Sequence, residues 1–115
     1  MNPDSFEDAR RQWAERSARA QGAGAQAFSR LLRLAEDGTG DQARRIARFI
    51  AATWDGEAHP LDLFELRAVD VAIADDMVTC IDALRWGKAD LYKLVPDGEE
   101  RVVAVLKTWG IRSGG

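Results

Sequence analysis

The stretch "TGDQARRIARFIAATW", residues Thr39 to Trp54, carries the clearest helical pattern in the chain and sets the expected fold class. Thr39 stands three residues before Gln42, which is the spacing of a capping box, and Gly56 follows as a stop signal. The apolar residues recur at the spacing of one helix face, and they are Ala43, Ile46, Ala47, Phe49, Ile50 and Trp54. The stretch therefore predicts an amphipathic helix with one buried side.

The length and composition indicate one folded domain. A chain of 115 residues with 46% hydrophobic and 30% charged residues is typical of a globular protein rather than a disordered one. No window approaches the roughly 18 apolar residues of a membrane span, and the first residues lack the apolar core of a signal peptide. The single cysteine, Cys80, suits a reducing compartment. We expect a cytoplasmic protein without a membrane segment.

Two further helices are predicted around the first one. The upstream segment "AQAFSRLLRLAED" has helical apolar spacing, and the long segment from Val69 to Trp86 is stopped by Gly87. Before them, the glycines of "QGAGAQ" (Gln21 to Gln26) indicate a hinge behind a helical N-terminal arm. The expected organisation is an arm over residues 1–24, a helical domain over 25–112 and a flexible tail over 113–115.

The C-terminal region allows two readings. Pro-Asp-Gly between two apolar runs is typical of a hairpin turn, which would give an α+β fold with a hairpin at residues 91–107. A helix is favoured by the apolar spacing of Val102, Val103, Leu106 and Trp109, with Gly110 as a C-terminal stop. The prediction is therefore an all-α, compact bundle of four or five helices with an N-terminal helical arm.

The aspartates of "VDVAIADDMVTC", residues 69–80, are the first candidates for a site. On a helical wheel Asp70 falls on the apolar arc, which predicts a buried structural carboxylate with a hydrogen-bonding partner, with a pocket rim or a solvated position as alternatives. Asp75 and Asp82 share the outer side with Thr79, as an acidic protein-binding patch or as a plain solvated face. Asp75 and Asp76 diverge, so no metal site is expected.

Aromatic and basic residues supply the remaining candidates. Trp13 and Trp86 could be exposed anchors for a protein partner. Three arginines on the outer face of the first predicted helix offer an alternative nucleic-acid site or a solvated face with ion pairs to Asp41, and they are Arg44, Arg45 and Arg48. Residues 1–50 carry nine arginines against seven acids, whereas residues 51–115 carry seven basic residues against twelve acids. This mild asymmetry does not favour a dedicated nucleic-acid binder.

Catalytic patterns are weak. The only histidine, His59, lies before a proline, Cys80 has no evident base partner, and no nucleophile-elbow motif occurs. The expectation is a non-enzymatic protein with no catalytic residues, no metal and no cofactor.

Three segments together resemble a known family: "FSRLLRLAEDGTGDQARRIARFIAATWDG", "FELRAVDVAIADDMVTCIDAL" and "VVAVLKTWG". The chain is similar, over about Ala27 to Ile111, to an uncharacterised family of small bacterial proteins associated with plasmids and prophages. The resemblance implies no functional residues. It implies a binding inhibitor of a host defence complex, of the anti-CRISPR or antirestriction type. We therefore expect a small protein-binding module, with a homodimer as a further possibility and a nucleic-acid accessory protein as the rival.

Overall fold

The computed structural model describes residues 3–87 and 89–112, and all regular structure in this part of the chain is helical. The helices are α1 (Pro3–Asp37), α2 (Gly40–Trp54), α3 (Val71–Arg85) and α4 (Gly98–Thr108), with 3₁₀ turns at Leu63–Arg67 and Leu91–Leu94. The all-α prediction is confirmed, and the alternative hairpin over residues 91–107 is wrong because this region forms a 3₁₀ turn and α4. The predicted tail at 113–115 lies outside the described residues.

The predicted glycine hinge is wrong, because α1 runs without a break from Pro3 to Asp37. A Cβ placed on Gly24 would overlap the Cβ of Ala83 in α3, so this glycine permits a close approach of two helices. Beside it, the Gln21 side chain donates a hydrogen bond from Nε2 to the Ala83 carbonyl oxygen, 2.9 Å away. The "QGAGAQ" segment therefore joins α1 to α3 rather than separating two helices.

Only part of α1 belongs to the packed bundle. A helix of 35 residues is about 52 Å long, close to the 55 Å longest dimension of the protein. Residues 4–16, which we name the exposed arm, are all exposed, and Ser17 is the first buried residue of α1. The remaining part of α1, residues 17–37, forms one wall of the core.

The core lies where α1 packs against the other three helices. Its largest fully buried side chains include Phe28 and Leu31 of α1, Phe49 of α2 and Met77 of α3. Most of the face predicted for α2 is buried: Ala43, Ile46, Ala47, Phe49 and Ile50. At the far end of the chain the Trp109 indole N–H donates to the Ala35 carbonyl oxygen at 2.9 Å. This bond ties the end of α4 to α1.

The prediction of a buried Asp70 is wrong, because α3 begins one residue later and Asp70 is its exposed N-cap. Asp70 is nevertheless paired: its backbone N–H donates to Gln42 Oε1 at 2.8 Å, and its Oδ2 accepts from Gln42 Nε2 at 3.2 Å. The capping box predicted at Thr39 is also absent, since the Thr39 side chain makes no capping hydrogen bond. Gln42 instead fixes the start of α3 against α2.

An ion pair between α1 and α4 predicts how stability responds to acid. Arg101 donates to both carboxylate oxygens of Glu36, at 2.8 and 2.9 Å, and these hydrogen bonds lower the pKa of Glu36. The stabilisation is therefore present above the ordinary pKa of a glutamate and is lost as the pH falls through the lowered value. Because both side chains are partly exposed, we expect it to contribute below about 1 kcal/mol.

The measurement is the free energy of unfolding in denaturant between about pH 6 and pH 3. We expect Glu36→Gln to be less stable than wild type near pH 6 and to lose less stability on acidification. Glu57→Gln is a suitable control, because Glu57 is exposed and makes no ion pair with a described residue. Parallel pH curves for Glu36→Gln and wild type would contradict the expectation.

Candidate functional site

A groove of about 710 Å³ runs between the C-terminal half of α1 and the start of α3. We name it the α1–α3 groove. Leu34 of α1 is 43% exposed there, although the other apolar residues of this part of α1 point into the core. The lining residues are Arg30, Arg33, Leu34, Asp37, Gly38, Ala72, Ile73, Asp75 and Asp76. The groove thus combines apolar side chains with charges of both signs.

One strong ion pair joins the two walls of the groove. Arg30 donates from Nε and Nη2 to the two carboxylate oxygens of Asp76, at 3.0 and 2.8 Å. This bidentate geometry raises the pKa of Arg30 and holds Asp76, whose side chain is only 16% exposed. Asp75 points elsewhere and is exposed. The adjacent aspartates therefore have separate roles, one structural and one available at the surface.

The rim carries charges that are not neutralised within the described part of the chain. Arg33, Asp37 and Asp75 border the groove, and none of them forms an ion pair with a described residue. These charges are solvated in the free protein, so they do not need partners within the chain. In a complex they would face opposite charges of a partner at fixed positions. The groove is the feature that best matches a binding site for a partner segment with mixed charges.

The structure separates the predicted acidic patch into two environments. Asp75 borders the α1–α3 groove, whereas Asp82, two turns further along α3, accepts from Arg85 Nε at 2.6 Å. Thr79 donates its hydroxyl to the Asp75 carbonyl oxygen at 2.9 Å, so it serves its own helix. Arg16 and Arg19 lie with Asp82 around a second depression. The outer side of α3 is therefore mixed in charge rather than acidic.

The predicted aromatic anchors are neighbours. The Trp13 and Trp86 rings lie 5.2 Å apart in an edge-on arrangement, with Trp13 still 49% exposed. The guanidinium groups of Arg16 and Arg85 lie 5.4 and 5.1 Å from the Trp86 ring centre, within cation–π range. Trp86 is half-buried under this cover. Of the two rings, Trp13 is the more exposed.

The arginines of α2 are largely neutralised. Asp41 accepts from Arg44 at 2.5 Å and from Arg45 at 2.7 Å, and these bonds lower the pKa of Asp41. Arg45 also donates to Glu65 at 2.8 Å. Arg48 makes no ion pair with a described residue and borders a smaller pocket of about 380 Å³ that contains His59. Ion pairing with Asp41, one of the two sequence-based alternatives, is what the structure shows for Arg44 and Arg45.

The described residues contain neither a reactive thiol nor a cluster of metal ligands. Burial raises the pKa of the Cys80 thiol to about 12, so the thiol stays protonated and is a poor nucleophile. Within residues 3–87 and 89–112, no cluster of three or more histidine, cysteine, aspartate or glutamate side chains is arranged to hold a metal ion. The same part of the chain contains no helix with the length and hydrophobicity needed to cross a membrane.

The α1–α3 groove is not predicted by the sequence patterns. Its signal is faint: Leu34 lies off the apolar stripe of its helix, between Arg30 and Asp37, which share its outer face. An apolar residue among charged neighbours is common on surfaces and marks nothing alone. Leu34 lines a groove only because α3 packs beside α1, and this packing belongs to the tertiary structure, which local sequence spacing does not determine.

These features define a small all-α domain with an apolar groove between its first and third helices. A family model described as "Family of unknown function (DUF7673)" matches residues 25–110. The chain belongs to this family. Comparisons with curated proteins and with solved structures found no match. The matched range begins just after Gly24, so it contains the groove and most of the bundle but not the exposed arm.

Proposed function

We propose that the protein is a non-enzymatic binding module that holds an amphipathic helix of a partner protein in the α1–α3 groove. The observation that carries the proposal is the apolar groove with its uncompensated rim charges. Two apolar side chains of α3 outside the groove lining are also exposed, Val71 by 77% and Val78 by 52%. An apolar groove rimmed by polar groups is typical of an interaction site, and helix-in-groove binding uses such a shape.

The charges of the groove indicate what the partner helix would carry. Asp37 and Asp75 would pair with lysine or arginine beside its apolar stripe, and Arg33 would pair with an acid. Arg30 and Asp76 already satisfy each other and would provide shape rather than charge.

The proposal predicts that Leu34→Glu removes partner binding while the fold is retained. Leu34 is exposed, so the substitution costs little stability, but it places a charge on the apolar floor that a docked helix must cover. The measurement is affinity capture from a lysate of the source organism, followed by titration of the purified partner. We expect a loss of affinity of at least about tenfold, since one uncompensated buried charge costs more than 1.4 kcal/mol.

Val103→Glu is the matched control, because Val103 is 45% exposed on α4 and does not line the groove. A partner bound by wild type and by Val103→Glu, but not by Leu34→Glu, would support the proposal. Equal capture by all three proteins would contradict it. Asp75→Lys tests the rim, and it should weaken binding more than Asp82→Lys.

The partner proposed here is a component of a host defence complex, and binding would inhibit it. This identity is supported only by the resemblance to proteins of mobile elements, and the captured partner decides it. The rival nucleic-acid function is disfavoured by the ion pairs of Arg44 and Arg45 with Asp41 and Glu65, which compete with phosphate for the same guanidinium groups.

A further inference from the structure

The apolar stripe that holds α1 in the bundle continues past the end of the bundle. Steps of seven residues, which keep one side of a helix, lead from Ala27 and Ala20 to Trp13 and Phe6. Ala27 and Ala20 are buried, whereas Trp13 is 49% exposed and Phe6 is 57% exposed. The arm therefore presents the same face that the rest of α1 buries.

α3 covers this face only up to Trp13. The helix ends at Arg85, and Trp86 makes the last aromatic contact with Trp13. Beyond that point Ala9 and Phe6 extend the stripe in residues that are all exposed. The charge pattern of the arm indicates what could cover them.

The charges beside the stripe are self-complementary. Arg10 lies next to the stripe and Glu7 lies about 60° further round on the same side, and neither forms an ion pair with a described residue. In an antiparallel pair of identical helices related by a two-fold axis, equivalent flanks face each other. An axis between Asp8 and Ala9 places Glu7 of each copy beside Arg10 of the other, giving two symmetric ion pairs.

The same register suits the apolar side chains. Phe6 of one copy falls at the level between Ala9 and Trp13 of the other, where the small Ala9 leaves room for its ring. In this register residues 4–13 of the two copies overlap over about 15 Å, and the overlap ends at the level of Trp13.

From this complementarity we infer that the occupant of the arm surface is a second copy of this chain, and that two exposed arms pair antiparallel through Phe6, Trp13 and the Glu7–Arg10 contacts. The inference does not depend on the α1–α3 groove, which remains open in such a dimer.

Sedimentation equilibrium of the full chain tests the pairing. Two short helices form an interface at the weak end of the known range, so the concentration series should extend to about 500 µM. Wild type is expected to shift from monomer to dimer within it, and Phe6→Glu to raise the dissociation constant at least tenfold. Val103→Glu, which changes an exposed valine of α4, should dimerise like wild type. A wild type that stays monomeric, or equal dimerisation of Phe6→Glu, overturns the inference.

Charge exchange tests the register. Glu7→Lys places a lysine beside Arg10 of the partner and is expected to weaken dimerisation, whereas Glu7→Lys with Arg10→Glu restores it. A parallel pair would bring equal residues together, so the single exchange would have no such effect. Dimerisation that is unchanged by Glu7→Lys, or a double variant no better than the single one, overturns the antiparallel arrangement. Leu34→Glu should leave the dimer intact, which separates this result from failure of the groove proposal.

Discussion

Replacing Gly24 by alanine is expected to destabilise the protein by about 1–2 kcal/mol, even though alanine is the better helix former. The added methyl group would overlap the Cβ of Ala83, so α1 and α3 would have to move apart where both are buried. Overpacking of this kind costs about 1–3 kcal/mol, and the gain in helix propensity returns up to about 1 kcal/mol. The measurement is the free energy of unfolding in urea.

Gly22 provides a control two residues away. A Cβ at Gly22 meets no atom within 4 Å, so Gly22→Ala should stabilise the protein by about 0.5–1 kcal/mol through helix propensity alone. The double variant Gly24→Ala with Ala83→Gly should recover part of the loss, because it removes the atom that the new methyl group strikes. If Gly24→Ala stabilised as much as Gly22→Ala, the close approach of α1 and α3 would be refuted.

A larger loss, of about 3 kcal/mol or more, is expected for Gly98→Ala, at the upper end of the cost of overpacking. Gly98 is the first residue of α4, and a Cβ there would overlap the Tyr92 carbonyl oxygen, which belongs to the backbone of the preceding 3₁₀ turn. A backbone atom cannot rotate away as a side chain can. The turn or the start of α4 must therefore shift, and thermal or urea unfolding will report the loss.

Asp97, the residue before Gly98, provides a control in which glycine is introduced rather than removed. Asp97 adopts φ of 55°, in the left-handed region that glycine occupies without steric cost. Asp97→Gly relieves that strain but gives the unfolded chain more freedom, so the net change should lie within about 0.5 kcal/mol. If Gly98→Ala were as stable as Asp97→Gly, the backbone at Tyr92 would accommodate the added methyl group without cost, and the prediction would be wrong.

Helices were predictable from the sequence where the pattern depends on local spacing. α2 begins one residue after Thr39 and ends at Trp54, as its apolar spacing indicates, and α4 occupies the region where helix was preferred over hairpin. Such patterns depend on which side chains share one helix face, and that is fixed by the 3.6-residue period. No knowledge of the neighbouring elements is needed.

The predictions that are wrong concern residue types that can serve two different structural roles. The sequence pattern predicts a flexible backbone at Gly24, but the role of this glycine is to leave room for the Ala83 side chain. The helical wheel predicts Asp70 on the buried side of a helix, but α3 starts after Asp70, and the partner of Asp70 is Gln42, 28 residues earlier. The groove depends on the same kind of distant pairing, since Leu34 and Ile73 become neighbours only through the packing of α1 on α3.

Because α1 is continuous, the exposed arm and the bundle are parts of one helix rather than two units joined by a flexible linker. Its last turns form a wall of the groove, and its first turns extend about 15 Å past the contact between Trp13 and Trp86. In a dimer joined through the arms, the two grooves would be held at a fixed spacing and a fixed mutual orientation. Such a dimer would bind most tightly to a target whose two binding segments are separated by the distance between the two grooves.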